Sequence, residues 1–187
     1  DNKSFVGDDG KTLMDGYRYM HTASGYYIYE NTNYIPYGFS YDYYISRTDC
    51  DTLYSDTAKA DVMLKAIVLE DKDIEKYSLD MKSYVASDEE GLHLTDDETL
   101  ANDSKKLSET SAISFTRDTK GFSASVDRSK TSLVFFSVPY SKGFSATVNG
   151  EKAEIIKANV GFMAVVVPAG VSEIRFDYTT PLLKEGI

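Results

Sequence analysis

The sequence predicts a mainly β protein: an antiparallel β-sandwich, jelly-roll-like, with one or two short helices. Three observations predict it. From residue 111 onward, short runs of β-branched and aromatic residues ("SAISFTR", "GFSASVD", "TSLVFFSVP", "GFSATVNG", "EKAEIIK", "GFMAVVVP", "VSEIRFDY") follow one another at roughly 10-residue spacing, the pattern of a sandwich or barrel. Tight-turn dipeptides separate them, above all Asn149–Gly150, the strongest short hairpin signal in the chain. Hydrophobic residues make up 42% of the 187 residues, enough to bury a core and to exclude global disorder.

Taken in order, residues 1–16 are polar and Gly-rich and read as a loose N-terminal arm. "YRYMHT" (17–22) and "GYYIYEN" (25–31) read as two strands, and "TNYIP" as a loop ended by Pro36. In "YGFSYDYYI" (37–45), Tyr37, Phe39, Tyr41, Tyr43 and Ile45 alternate with Gly38, Ser40, Asp42 and Tyr44. Period two predicts one strand, with the bulky set facing a core. "TLYSDTAKADVMLKAIV" (52–68) is the best helix candidate, with a stripe of Leu53, Asp56, Ala60, Met63, Leu64 and Ile67. Residues 70–110 are acidic and broken, and read as short elements and exposed loops. "LVFFSV" (133–138) is apolar on both faces and should lie centrally in a sheet. "SEIRFDY" should turn Ile174, Phe176 and Tyr178 inward and Glu173, Arg175 and Asp177 outward. A single β-rich unit over 1–187 is expected, because an isolated pair of N-terminal strands would be marginal in water and should pair or pack with the C-terminal sheets.

Composition narrows function. A formal net charge of −10 excludes nucleic acid as a partner and disfavours docking on anionic lipid headgroups. One cysteine, Cys50, allows neither an intrachain disulfide nor a Cys-based zinc site. It lies between Asp49 and Asp51, whose charges oppose a reactive thiolate. The histidines, His21 and His93, have no evident orienting partner and read as surface or packed residues. The acidic runs "EDKD" (70–73), "SDEE" (87–90) and "TDDE" (95–98) lack calcium-loop spacing and read as solvated faces. No phosphate or dinucleotide loop is present. No catalytic residue, metal or cofactor is therefore expected. Tyr34, on a loop, with Asp42 and Tyr44 on the thin face of 37–45, are the candidates for contact with a glycan, because loop and off-face rings can present flat surfaces outward.

Residues 135–187 carry a denser pattern: Pro139, Tyr140, Gly143, Phe144, the hairpin Val148–Asn149–Gly150, then Gly161, Phe162, Pro168, Gly170, Tyr178, Pro181 and Gly186. With "YIYENTNYIPYGFSYDYYISRTD" (27–49), "DGYRYM" (15–20) and "LKAIVLED" (64–71), this resembles the large non-membrane region of YfhO-type bacterial membrane proteins. Phe144 stands where that pattern has Trp, and "TTPLL" where it has a Pro pair; a packing role survives the first change more easily than a ligand-stacking one. The resemblance implies an extracytoplasmic domain cut from a polytopic protein of the cell membrane, both chain ends near the bilayer. Such proteins look like glycosyltransferases using lipid-linked sugars on cell-wall polymers such as the teichoic acids of Gram-positive bacteria. Their catalytic carboxylate is expected in an early loop that this chain does not contain. The implied role is non-catalytic: positioning the acceptor glycopolymer or capping the transferase core, with the membrane helices of the same polypeptide as partner. A purely structural or docking domain without glycan contact is the rival, and a free-standing hydrolase a weaker third. Glycan binding separates the first two; turnover by the isolated chain would favour the third.

Overall fold

The computed structural model describes residues 16–53, 55–85 and 97–181; His93, the run "SDEE" and most of the N-terminal arm lie outside them. The strands are β1 (Tyr17–Ala23), β2 (Tyr26–Asn31), β3 (Phe39–Ser40), β4 (Tyr43–Ser46), β5 (Ile67–Leu69), β6 (Lys82–Ser83), β7 (Ser114–Arg117), β8 (Gly121–Arg128), β9 (Ser132–Pro139), β10 (Phe144–Val148), β11 (Glu151–Ala153), β12 (Ile156–Ala158), β13 (Phe162–Val167) and β14 (Gly170–Tyr178). The helices are α1 (Arg47–Thr52), α2 (Asp56–Lys65), α3 (Ile74–Tyr77) and α4 (Asp97–Glu109). The fold is the expected sandwich. A five-stranded antiparallel sheet, β11-β10-β14-β8-β7, faces a seven-stranded sheet, β3-β9-β13-β12-β5-β4-β6. Helical content exceeds the one or two helices expected, and β4 pairs in parallel with both β5 and β6.

Eight strands fall within 111–178, and residues 131–149 contain no helix. At the β10–β11 turn, Asn149 (φ 53°) and Gly150 (φ 83°) are both left-handed and join the paired Val148 and Glu151. These are the conformations a two-residue type I′ hairpin demands. "LVFFSV" is central as expected, because β9 sits between β3 and β13. Its alternation is divided between two cores. Val134 and Phe136 join Phe122, Val126, Met163, Val165, Ile174 and Phe176 between the sheets. Leu133 and Phe135 turn the other way, to Phe39, Tyr41, Ile67, Leu69 and Leu107. Ile174 and Phe176 are inward, but Tyr178 is exposed: it ends its strand and packs only its ring against Phe144, centroids 4.9 Å apart. "EKAEIIK" is also divided, Glu151–Ala153 serving the five-stranded sheet and Ile156–Ala158 the seven-stranded one.

The stretch 37–45 is not one strand. β3 and β4 are separated in the sheet by four other strands, yet only Tyr41 and Asp42 separate them in the chain. A flat sheet would place them about 24 Å apart at ~4.8 Å per strand. Three Cα steps from Ser40 to Tyr43 span at most about 11 Å. The seven-stranded sheet therefore curls into a half-barrel, with Tyr41 in its mouth. The crossing reverses the side-chain parity. Phe39 and Tyr41 are buried as expected, but Tyr43 is exposed and Tyr44 half-buried against the same core as Phe39. Ile45 faces a third core with Cys50, Val62, Ala66 and Val68.

The helix candidate at 52–68 is shorter than expected. Ser55 caps α2 through its hydroxyl, which accepts from Ala58 N at 3.1 Å, and Ile67–Leu69 is a buried strand. The buried face of α2 is Ala58 and Val62, four residues apart, while Met63 and Leu64 of the expected stripe are only partly buried. The acidic region, read as short elements and exposed loops, contains the 13-residue helix α4. Its stripe of Leu100, Asp103, Ser104 and Leu107 has helical spacing but is half polar, which hid it from a hydrophobic reading.

The outer surface of the five-stranded sheet carries a charge cluster. Arg175 holds Asp118 through Nη1–Oδ2 (2.8 Å) and Nη2–Oδ1 (3.2 Å), and also contacts Asp177. The backbone N–H groups of Lys120 and Gly121 donate to Asp118 Oδ1. The Arg175 hydrogen bonds foremost, then Lys120 N–H, lower the Asp118 carboxyl from 3.8 to about 2. A lowered folded pKa contributes stability that is complete above the unfolded value and lost as pH falls through the folded one. The unfolding midpoints of the parent and Asp118→Asn are thus expected to differ above pH 3.8 and to converge as the pH approaches about 2. Parallel acid titrations of the two midpoints check this; a difference independent of pH would contradict it.

Candidate functional site

Two clefts lined by described residues are candidate sites. The smaller, about 260 Å³, lies at the mouth of the half-barrel. Residues 40–43 form one wall, the end of α2 another, and α4 the third. Its position follows from the crossing: the two-residue bridge between β3 and β4 cannot be covered by a strand, so helices cover it. Thr110, just past α4, fixes that helix to β3: its hydroxyl accepts from Ser40 N at 3.0 Å and lies 3.1 Å from Ser40 O.

Tyr41 belongs to both core and cleft. Its hydroxyl turns inward, donating to Met63 O at 2.9 Å and accepting from Asn159 Nδ2 at 3.1 Å. Burial raises its pKa far above the ordinary phenol value, so this tyrosine keeps its proton. At the rim, Tyr43 meets Tyr84 edge to face, centroids 6.1 Å apart. Asp42, exposed beside them, accepts Lys82 N–H through its backbone carbonyl at 3.0 Å.

Asp103 is the least expected member. Only 9% exposed, it pairs through Oδ1 with Lys106 Nζ at 3.3 Å. Its other oxygen, Oδ2, is shielded from solvent and has no hydrogen-bond partner among the described residues. A buried acceptor left unmade costs about 1–3 kcal/mol, more for a charged group. The signal that could have found it was a carboxylate on the helical stripe 100/103/104/107.

Of the three glycan-contact candidates, only Asp42 lines this cleft. Tyr44 packs its ring against the core beneath, and Tyr34 is 60% exposed on its loop, lining neither cleft. Cys50 is buried in α1; burial first, then the Asp51 charge, raises its thiol pKa, so it is inert as a nucleophile. His21 lies in β1, outside both clefts. In the run "EDKD", Glu70 faces Arg47 and Asp71 accepts from Thr48 Oγ1 at 2.7 Å. No group of three or more metal-ligating side chains converges among the described residues. The larger cleft, about 470 Å³, lies where Tyr77, Val148, Val166 and Pro168 meet, beside the Lys76–Glu154 pair at 2.8 Å. It is wider and more apolar.

The architecture defines a β-sandwich domain with a tyrosine-lined cleft at the mouth of a curled sheet, and no described helix is long and apolar enough to cross a membrane. The family model described as "Bacterial membrane protein YfhO" matches residues 78–187, more than half of the chain, and the chain belongs to that family. No curated protein and no solved structure matches it.

Proposed function

We propose that this domain of a bacterial membrane protein lies on the extracytoplasmic side and holds a hydroxyl-rich unit of a cell-envelope glycopolymer in the half-barrel cleft. There it serves as acceptor-positioning module for glycosylation by the membrane-embedded part of the same polypeptide. One observation carries the reading: the cleft brings two carboxylate residues, Asp42 and Asp103, together with the rings of Tyr41, Tyr43 and Tyr84. Sugars and polyols supply hydroxyl donors to carboxylates, and aromatic edges and faces suit their apolar C–H surfaces. The cleft's 260 Å³ falls below the ~300–1,000 Å³ of pockets for drug-sized ligands, so it has room for a single ring or polyol unit. The domain itself performs no transfer in this reading.

The test is titration of the ¹⁵N-labelled chain with teichoic-acid fragments, bare and glycosylated. Shift changes are expected around Asp42, Tyr43 and Asp103. Asp103→Asn, which exchanges a carboxylate for a weaker acceptor, is expected to weaken binding about 10- to 100-fold, the worth of a hydrogen bond to a charged group. Shift changes confined to other surfaces, or affinity unaltered in both Asp42→Asn and Asp103→Asn, would overturn the assignment.

A further inference from the structure

The β1–β2 hairpin forms its own two-stranded sheet and pairs with no strand of the other two, so of the two ways it was expected to join them, by pairing or by packing, pairing is not the one used. Its register runs from Tyr17↔Asn31 to Ala23↔Tyr26, with a bulge at Met20, and the Thr32 N–H to Gly16 carbonyl bond closes its base. Two features set it apart. The first is exposure: Tyr19, Met20, Tyr26, Tyr27 and Ile28 are each 40–66% exposed, a concentration of large apolar side chains within ten residues. The second is charge. In a chain with 27% charged residues, the eleven residues 19–29 contain no Asp, Glu, Lys or Arg. The nearest charges, Arg18 and Glu30, pair with each other across the strands at the base (Arg18 Nε–Glu30 Oε2, 3.1 Å).

An exposed, uncharged aromatic finger is marginal in water on its own and a liability for association unless something covers it. We propose that what covers it is a lipid bilayer: the tip of the hairpin sits in the headgroup–acyl boundary of the membrane in which proteins of this family reside. Three observations select this occupant. The chain belongs to a family of membrane proteins. A net charge of −10 repels anionic headgroups everywhere except at such a neutral surface, so the charge distribution leaves this as the approach. The side chains are also of the interfacial kind. Tyrosine combines an apolar ring with a hydroxyl that prefers the wet headgroup level, and Met20 and Ile28, nearer the base, extend the apolar surface behind the tip. Tyr19 meets Tyr27 and Tyr29 edge to face, at 6.2 and 5.8 Å. This arrangement makes a ridged surface, suited to disordered acyl chains, where stacking on a sugar ring wants an open flat face. Six residues of strand reach about 20 Å, ample for the ~5–10 Å an interfacial element enters.

The chain contains no tryptophan, so Tyr26→Trp places a single reporter at the tip. The chain is tethered, through a hexahistidine tag at either end in turn, to phosphatidylcholine vesicles carrying a nickel-chelating lipid, with or without phosphatidylglycerol. From at least one end, the expected result is blue-shifted emission quenched by brominated acyl chains and unaffected by high salt, since no ion pair drives it. Adding Ile28→Asp or Thr22→Asp, which charge the finger outside every core cluster, is expected to return the emission to that of the free chain with an unchanged unfolding midpoint. Three results would each overturn the proposal: no shift from either tether, a shift that survives both aspartates, or the same shift produced by soluble glycopolymer without vesicles.

Discussion

Tyr41→Ala is expected to lower the stability of the chain by about 3–5 kcal/mol, the usual cost of cutting a buried large aromatic to alanine. Phe39→Ala falls in the same range: Phe39 is 5% exposed and Tyr41 8%, and both rings pack on Phe135, centroids 5.2 and 6.0 Å away. Tyr41 should lie at the upper end, because its loss also removes the acceptor for Asn159 Nδ2. Asn159 is 5% exposed and left-handed (φ 44°), and its side chain stands in for a strand residue. Its Oδ1 accepts Val68 N–H at 2.7 Å while its own N–H donates to Val68 O at 3.0 Å. Tyr41→Phe separates the parts: it keeps the ring and removes the hydroxyl, for an expected cost of about 1–3 kcal/mol. Tyr34→Ala, on its exposed loop, is expected to stay within about 0.5 kcal/mol of the parent. Guanidinium unfolding of the four variants checks the series. Equal midpoints for Tyr41→Ala and Tyr34→Ala would mean that the half-barrel mouth is not a packed core.

Arg128→Met is the second large effect, expected at about 3 kcal/mol or more, as when a buried charge-assisted network loses its donor. Arg128 ends β8 and is 9% exposed. Nη2 donates to Gly38 O at 2.8 Å and Thr110 O at 2.6 Å, and Nε to Ser40 Oγ at 3.1 Å. One guanidinium thus ties the five-stranded sheet, β3 and the end of α4 together. Its pKa is lowered by burial, which the charge of Asp127 only partly offsets. The backbone beneath cannot easily adapt: Gly38 has φ 79°, and a Cβ there would lie 2.8 Å from that of Ala112. Arg128→Lys keeps the charge but not the planar fork and should recover only part of the loss. Hydrogen exchange offers a second measurement. With Arg128 gone, the amides of Ser40 and Ala112 should lose protection before those of β13 and β14. Uniform loss across all of them would mean that the residue supports the whole sandwich and not the cleft wall in particular.

These two residues also show what could be read from the chain. Phe39 and Tyr41 were legible as core because period two is local and survives whatever lies beyond. Tyr43 and Tyr44 were not, because the chain leaves one edge of a curled sheet at Ser40 and enters near the other at Tyr43, and no local pattern records that the pleat restarts. Arg128 and Asp103 were illegible for the opposite reason. A single charged residue in a strand or helix pattern reads as solvent-facing, and only the partners brought in from distant segments bury it. Of the glycan-contact candidates, Asp42 came to the cleft through its neighbours, while Tyr34 stayed on a loop and Tyr44 turned to the core.

By itself the sequence determined the β-sandwich class, the central place of Leu133–Val138, the hairpin at Asn149–Gly150 and the family likeness in the C-terminal half. Each rests on short-range rules: side-chain alternation, apolarity on both faces, and the φ values a two-residue turn requires. Only the tertiary structure decided that the larger sheet curls, that α4 closes its mouth, that Asp103 is buried with one oxygen unpartnered, and that the first hairpin stays apart. Those features depend on which strand edges meet, and strand pairing across a hundred residues is set by the competition among all the edges at once.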